Sequence, residues 1–325
     1  MVKNKEVKKI KKGVKYMGGS HFDVDNWNIK SSTMSSKSSS SIYTATNIKD
    51  EVNPSKMKNG IRESCDSDDN PNSTPVIIGL DCTGSMSQIP TYMIKTGLGE
   101  LFKEIYTRKP ISDPQVLFCT IGDVDANDPN PFSVGQFESQ CDLLIDGLQK
   151  FWIDGARGGG GNGYENYSLP YYFAANMTKT DSYIKRKRKG FIFTIGDEPP
   201  DSHLTPEAIQ KVFGFKPESD VSFEQIINQV NKTWNAFHII LEEGSHVRSR
   251  GLDEVLNPWS KLLGQNAIVC SDHTKISEVI GSILEVYSGK SKSDVASSWD
   301  GSTSVVVANA ISSLTVSSED EFIVF

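Results

Sequence analysis

Three oxygen-bearing side chains follow an apolar run in the first third of the chain. The run over residues 76–80 stops at Asp81, and two hydroxyl residues, Thr83 and Ser85, follow at alternate positions. Side chains at positions i, i+2 and i+4 of an extended segment can converge on one point, and oxygen ligands suit a hard cation such as Mg²⁺. This spacing predicts a metal site at the end of a buried strand.

A second acidic position repeats the pattern later in the chain. The apolar run over residues 191–195 is followed by Asp197, then by Glu198 and two prolines. Continuous apolar runs of this length are typical of parallel strands that are covered on both faces. Because ligand sites in such sheets lie beyond the carboxyl ends of the strands, the separation of Asp81 and Asp197 in sequence is no obstacle to their meeting in space.

Further apolar runs and amphipathic segments alternate along the chain, which predicts the α/β class with a doubly wound, mainly parallel central sheet flanked by helices, a Rossmann-like fold. Strands are predicted at residues 76–80, 116–121, 191–195, 237–241 and 267–270, with a short paired strand at 132–137. Helices are predicted at residues 94–105, 143–152, 169–177, 223–234, 252–263 and 276–287. Pro258 is expected to kink or split its helix, and residues 305–307 fit either an added strand or part of a helix.

Together, Asp81, Thr83, Ser85, a glycine loop at residues 158–163 and Asp197 resemble the von Willebrand factor A (vWA) domain, including integrin I domains. The resemblance covers roughly residues 74–288. The family's metal-ion-dependent adhesion site uses Asp-x-Ser-x-Ser, and DCTGS here has Thr83 in place of the first serine.

The resemblance implies a set of metal ligands and a binding role. Thr83 and Ser85 would bind Mg²⁺ (or Mn²⁺ or Ca²⁺) through their hydroxyls, Asp81 directly or through water, and Asp197 through water. An Asp or Glu of a protein partner would complete the coordination, and no residue would be catalytic.

One loop departs from the family pattern. Many vWA domains carry a metal-binding threonine there, often as Gly-Gly-Thr, whereas residues 157–167 read RGGGGNGYENY. Asn162 and Glu165 are the matching oxygen carriers and are candidates for a second-loop metal site. The runs IRESCDSDDNPNSTP and FTIGDEPP are similar to a prokaryotic and phage branch of the family.

Other interpretations of these residues fit less well. The glycine loop formally contains GxGxxG, but it follows a helical pattern rather than a strand and lacks GK[ST], which argues against nucleotide-binding loops. A phosphotransferase of the haloacid dehalogenase type would need DxDx[TV], and Ser85 lacks the GxSxG elbow of hydrolases. Asp123 and Asp125 either face the metal or form a turn, and the turn is the preferred interpretation.

Composition sets the domain organisation. Residues 1–45 are rich in lysine and then serine and are expected to form a flexible arm, residues 46–73 an irregular lead-in, and residues 289–325 a C-terminal extension beyond a vWA domain at 74–288. The net charge of -7 and pI near 5.4 argue against a nucleic-acid partner. Five scattered cysteines and the lack of a signal or membrane-spanning segment favour a cytoplasmic location, with a phage virion as the alternative.

The sequence therefore predicts a non-enzymatic module that captures a partner carboxylate at a Mg²⁺-occupied site. Its setting would be an ATPase-associated assembly or a phage particle. Two alternatives stay open: a metal-dependent enzyme acting on phosphate or nucleotide, and a metal-free structural scaffold.

Overall fold

A computed structural model describes residues 32–33, 36, 45–86, 89–126, 128–153 and 163–316. The strands, in chain order, are β1 (Arg62–Ser64), β2 (Thr74–Asp81), β3 (Pro114–Ile121), β4 (Phe132–Val134), β5 (Thr178–Thr180), β6 (Gly190–Gly196), β7 (His203–Leu204), β8 (Val221–Ser222), β9 (Trp234–Leu241) and β10 (Ala267–Cys270).

Helices connect most of these strands. The longer ones are α1 (Leu98–Arg108), α2 (Cys141–Leu148), α3 (Ser168–Asn176), α4 (Asp181–Arg186), α5 (Pro206–Phe213), α6 (Phe223–Val230), α7 (Ser245–Arg250), α8 (Leu252–Leu263), α9 (Ile276–Tyr287), α10 (Lys292–Ser297) and α11 (Gly301–Ile311). A helical turn at Ile89–Tyr92 runs into α1 through a π-helical turn at Met93–Gly97.

Six strands form the central sheet, in the order β4-β3-β2-β6-β9-β10. Only β4 runs antiparallel to its neighbour within this sheet. Successive strands are added on one side of β2 and then, from β6 onward, on the other side, so the order reverses between β2 and β6. Because these two strands are parallel, with Leu80 opposite Ile195, their carboxyl ends lie side by side.

The sheet is covered on both faces, which explains why its strands are apolar throughout. In β2, Val76, Ile78 and Leu80 pack into one hydrophobic cluster with α1, α9 and α11. Ile77, between them, packs into a second cluster with α3, α6 and α8. Every residue of β2 is buried, and each large apolar side chain of this kind stabilises the fold by about 1.5–3 kcal/mol. The predicted α/β class with a mainly parallel, helix-flanked sheet is confirmed.

Three local predictions are resolved by tertiary packing. Trp234 was predicted in a helix but begins β9, where its ring stacks on Phe137 at 6.3 Å and its N–H donates to the Ala174 carbonyl. α8 continues through Pro258 without being split, and the residue four positions earlier, Glu254, is exposed, so its free carbonyl can be hydrated. Residues 305–307 are helical, within α11.

The flanking segments contact the same cores. Val52 packs with the cluster around β2, as do Val295 of α10 and Val307 of α11. The short strand β1 pairs in parallel with β5. The N-terminal arm lies almost entirely outside the described residues. None of the helices in the described ranges combines the length and the apolar composition that crossing a bilayer requires.

Candidate metal-binding site

The predicted ligands Asp81, Thr83, Ser85 and Asp197 form one hydrogen-bonded chain, here called the cradle. Asp81 Oδ1 accepts from the Thr83 backbone N–H at 2.9 Å and from its hydroxyl at 2.6 Å. The hydroxyl oxygens of Thr83 and Ser85 are 3.3 Å apart, and Ser85 donates to Asp197 Oδ1 at 2.7 Å. The cradle therefore joins the carboxyl ends of β2 and β6, where the strand order reverses.

The far end of the cradle is fixed by the start of α7. The backbone N–H of His246 donates to Asp197 Oδ2 at 2.9 Å, and the Ser245 hydroxyl donates to the Ser85 carbonyl at 3.0 Å. Gly244 precedes the helix with φ of -63° and lies so close that a Cβ there would overlap Asp197. This close approach requires glycine at position 244, although the backbone conformation does not.

An aromatic support lies beneath the cradle. The Tyr167 hydroxyl donates to Asp81 Oδ2 at 2.6 Å. The Tyr167 ring packs edge-on against Trp259 at 5.4 Å, and Trp259 stacks on His238 at 3.7 Å. Burial keeps the pKa of His238 well below its ordinary value, so this ring is neutral. His238 is thus a core residue, and all three rings are fully buried.

Five buried carboxyl groups lie in the cradle or near enough to interact with it electrostatically, and we call them the acidic group. Its members are Asp81, Asp123, Glu165, Asp197 and Glu198, each at most 6% exposed. Within the described part of the chain, His246 is the only basic side chain at ion-pairing distance from these carboxylates, with Nδ1 3.5 Å from Glu198 Oε1. Burying like charges without compensation is costly, so a bound cation would stabilise the ionised form of these carboxyls.

Burial and mutual repulsion raise the pKa values of three members of this group, Asp81, Glu165 and Glu198. Desolvation is the largest cause of the raised pKa of Asp81, followed by the charge of Asp197. The pKa of Glu165 is raised by burial and then by Asp81, Glu198 and Asp123, while the Thr83 side chain acts in the opposite direction. Burial and the charges of Asp81 and Asp197 raise the pKa of Glu198 to about 8. A cation would reverse these shifts, because it favours the ionised form.

The donor set fits a hard divalent cation. Hydroxyl and carboxylate oxygens are the ligands that Mg²⁺, Mn²⁺ and Ca²⁺ prefer, and no thiol joins the set. Two carboxylate oxygens of the acidic group, Asp123 Oδ2 and Glu198 Oε2, are buried and have no hydrogen-bond partner. The cradle residues would hold the ion, and a group that the fold does not provide would occupy any remaining position.

In a second acidic cluster, backbone N–H groups of the fold itself donate to the carboxylates. Glu243, Asp272 and His273 place three potential ligand atoms within 4.8 Å of one another, beyond the ends of β9 and β10. Here Glu243 Oε2 accepts from the His273 backbone at 2.6 Å, and Asp272 Oδ1 accepts from the Thr274 backbone at 2.9 Å. These acids are only partly buried and their hydrogen bonds account for their positions.

The structure brings most of the predicted site residues together. Glu165, a candidate from the second loop, belongs to the acidic group, whereas Asn162 and most of the glycine loop lie outside the described residues. Asp123 does form the expected turn, since its Oδ1 accepts from the backbone of Asp125 and Ala126, but its other oxygen has no partner.

Sequence reasoning missed three contributors to the site, Tyr167, Glu198 and His246. Tyr167 lies two positions after Glu165, and Glu198 directly follows Asp197, so proximity in sequence was the available signal. Nothing in the sequence marks His246, because its contribution to the cradle is a backbone N–H.

Stability without added metal is expected to fall as pH rises from about 4 to about 8. Burial raises the pKa of Asp201 and of Glu138 to about 7 each, and that of Glu198 to about 8. A carboxyl whose pKa is higher in the folded protein binds more protons when folded, so deprotonation favours unfolding across this range. Urea unfolding in EDTA at a series of pH values measures the effect.

Asp201→Asn provides the control for this pH dependence. Asp201 accepts from the backbone and hydroxyl of Ser168, which an amide can largely reproduce without titrating. The variant should show a shallower decline of the unfolding free energy with pH. A decline as steep as that of the wild type would contradict the assignment.

The fold places the chain in the class of mixed α/β proteins with a mainly parallel, helix-flanked sheet, with an acidic site at its carboxyl edge. No protein-family model matches the sequence, and no curated protein is significantly similar to it.

Similar solved structures are distant. One is the pilus adhesin SpaC from Lactobacillus rhamnosus GG, in an open conformation, at 7% identity and a TM-score of 0.44, covering 68% of this chain and 31% of that chain. Another is proximal thread matrix protein 1 from the mussel byssus, at 7% identity and a TM-score of 0.38, covering 68% and 48% respectively. This chain thus spans less than half of either protein.

Proposed function

We propose that this chain is a vWA-like, doubly wound module that binds a protein partner through a divalent cation held in the cradle. Thr83 and Ser85 would be direct ligands, Asp81 and Asp197 would support the ion directly or through water, and an Asp or Glu of the partner would complete its coordination. The observation that carries the proposal is the hydrogen-bonded chain from Asp81 to Asp197 across two adjacent strand ends.

The hydrogen bonds explain how the cradle would accept an ion. Each hydroxyl now donates its proton to a carboxylate, which leaves oxygen lone pairs available to a cation. Mg²⁺ retains water readily, so a position facing solvent or a partner would stay exchangeable. Ser85 is partly exposed, which leaves that side of the cradle accessible.

The described surroundings favour a binding role over phosphate chemistry. Enzymes that act on phosphoryl groups place arginine, lysine or metal clamps on the transferred group. The basic side chain that pairs with the acidic group is the imidazole of His246, 3.5 Å from Glu198. In the proposed module the cation therefore supplies the attraction for the partner's carboxylate.

Magnesium is expected to raise the melting temperature of the wild-type protein and not that of Asp81→Ala. The variant removes the carboxylate that accepts from Thr83 and Tyr167, so the ion loses both a charge and the alignment of a hydroxyl ligand. Thermal unfolding with increasing MgCl₂, against an EDTA baseline, measures the response. Asp253→Ala, which removes an exposed acid from the first turn of α8, should respond like the wild type.

Binding of a carboxylate can be followed with Mn²⁺ in place of Mg²⁺. Water-proton relaxation enhancement reports exchangeable water on the bound ion, and acetate should lower it, whereas methylammonium should not. No stabilisation by Mg²⁺, together with no binding of Mn²⁺, would overturn the proposal. Turnover of phosphoesters by the purified protein with metal would favour the enzymatic alternative.

A further inference from the structure

A cavity of about 280 Å³ lies between helix α2 and the side of the central sheet that β3 and β4 form. Its floor is apolar and consists of side chains that all belong to the hydrophobic cluster around β2, namely Val52, Phe118, Leu144, Leu148 and Phe151. Small-molecule pockets in proteins enclose about 300–1,000 Å³, so this cavity has room for a small ligand.

Backbone hydrogen bonds hold the sheet side of the cavity. After β4 the chain continues next to β3, where the Gly135 N–H donates to the Phe118 carbonyl at 2.8 Å. Glu138 then forms an isolated antiparallel bridge with Val116, and the two residues exchange backbone hydrogen bonds of 2.9 and 3.0 Å. This wall is therefore an extension of the sheet and forms with the fold itself.

Arg62 joins this wall to the lead-in segment, which also lines the cavity. Its guanidinium donates to the Gly135 carbonyl at 2.8 Å and to the Glu51 carbonyl at 2.9 Å. In addition, the Val134 N–H donates to the Val52 carbonyl at 2.8 Å. Both walls are thus fixed in the folded protein, as in most small-molecule sites, which are largely pre-formed.

The pairing of Glu138 with Val116 directs the Glu138 side chain toward the cavity. Residues directly opposite each other in an antiparallel pair lie on the same face of a sheet. Val116 and Phe118 both pack into the cluster that contains Leu144 and Leu148 of α2, so Glu138 shares the face that α2 covers. Glu138 lines the cavity and is only 8% exposed. A carboxyl group is therefore held at the wall of an apolar cavity.

The charges around the cavity favour a cation. Burial raises the pKa of Glu138 to about 7, and the charge of Lys150 acts in the opposite direction. Lys150 is exposed at the rim, as are two further acids, Glu51 and Asp146. Three carboxyl groups against one ammonium group attract a cation and repel an anion. A cation beside Glu138 would also compensate a buried carboxylate, which is costly to leave alone.

We infer that this cavity is a binding site for a small organic cation, an amine whose ammonium group pairs with Glu138 and whose apolar body packs on Phe118, Leu148 and Phe151. The site is separate from the cradle, which joins the ends of β2 and β6, so the inference does not rest on the proposed function. It adds a small ligand to a chain whose other site would take a metal ion and a protein carboxylate.

Three probes of similar shape test the inference, namely phenethylamine, phenethyl alcohol and phenylacetate. Their dissociation constants are measured by ligand-observed NMR titration in EDTA at about pH 8, where Glu138 is mostly ionised. The wild type should bind the amine at least about tenfold more tightly than the alcohol, because hydrogen bonds to charged groups contribute more than neutral ones. Phenylacetate should bind most weakly. At about pH 6 the preference for the amine should shrink, since Glu138 is then mostly protonated.

Two variants separate the charge from the cavity. Glu138→Gln keeps the shape of the side chain and should bind the amine no more tightly than the alcohol. Gly147→Leu should weaken binding of both probes, because Gly147 lines the cavity and a Cβ there meets no atom within 4 Å, so the new side chain can occupy free space. Glu224→Gln, at an exposed glutamate on α6, is the matched control and should bind like the wild type.

Each contrary result overturns a definite part of the inference. Equal affinity of the wild type for the amine and the alcohol would overturn the cation. Amine binding that Glu138→Gln and Gly147→Leu both leave unchanged would overturn the cavity as its location, and no binding of any probe would overturn the site altogether. Circular dichroism verifies that each variant is folded. Because the titrations contain EDTA, absence of Mg²⁺ stabilisation in the wild type would count against the cradle and leave this site untouched.

Discussion

Gly244→Ala is expected to abolish stabilisation by Mg²⁺ and to lower the free energy of unfolding by about 1–3 kcal/mol, the usual cost of inserting an extra group into a packed site. The new Cβ would overlap the Cβ and carboxylate of Asp197, so either that side chain or the start of α7 must move. Movement of Asp197 breaks its bonds with Ser85 and with the His246 N–H. Thermal unfolding with and without MgCl₂ measures both effects.

Gly84→Ala is the matched control for this steric argument. Gly84 lies between Thr83 and Ser85. A Cβ there would meet no atom within 4 Å, and the φ angle of Gly84 is not positive. This variant should keep the full response to Mg²⁺. A Gly244→Ala protein that responds to Mg²⁺ as strongly as Gly84→Ala would contradict the placement of Asp197 in the cradle.

Trp259→Ala should destabilise the protein by about 3–5 kcal/mol, the range for removing a large aromatic side chain from a core. Trp259 is fully buried and contacts three aromatic rings: it stacks on His238 and meets Tyr167 and Phe223 edge-on. The cavity would also free Tyr167, which orients Asp81, so the response to Mg²⁺ should weaken as well. Urea unfolding followed by circular dichroism gives the stability change.

Trp259→Phe separates packing from hydrogen bonding. It keeps a ring against His238 but loses the N–H that donates to the Glu198 carbonyl at 3.0 Å. Its cost should be well below that of Trp259→Ala, because it adds the loss of one hydrogen bond, about 0.5–1.5 kcal/mol, to a smaller packing defect. Equal costs for the two variants would show that the ring stack contributes little.

Local patterns predicted the regular elements and failed where tertiary contacts compete with them. The strand ending at Asp81 and the helix over residues 276–287 are recognisable because their apolar periodicity matches the faces they bury. Trp234 matches the apolar spacing of a helix face in the sequence. Its ring contacts Phe137 and the end of α3 instead, and the spacing of neighbouring residues does not reveal such long-range contacts.

The candidate site, too, was predictable from the sequence only in part. The spacing of Asp81, Thr83 and Ser85, and a second acid at Asp197, were visible because short-range spacing within one strand end fixes which side chains can converge. The number of buried carboxyls was not visible, since Asp123, Glu165 and Glu198 come from separate connections.

By itself, the sequence determined that the chain builds a mixed α/β fold with acids at the ends of two buried strands, because apolar periodicity and chain breaks are local properties. Only the tertiary structure decided that β2 and β6 are neighbours, that Gly244 and a backbone N–H of α7 hold Asp197, and that five carboxyls share one buried edge. Strand order and the packing of connections depend on contacts between residues far apart in the chain. That is why the cradle could be anticipated from the sequence while the excess negative charge around it could not.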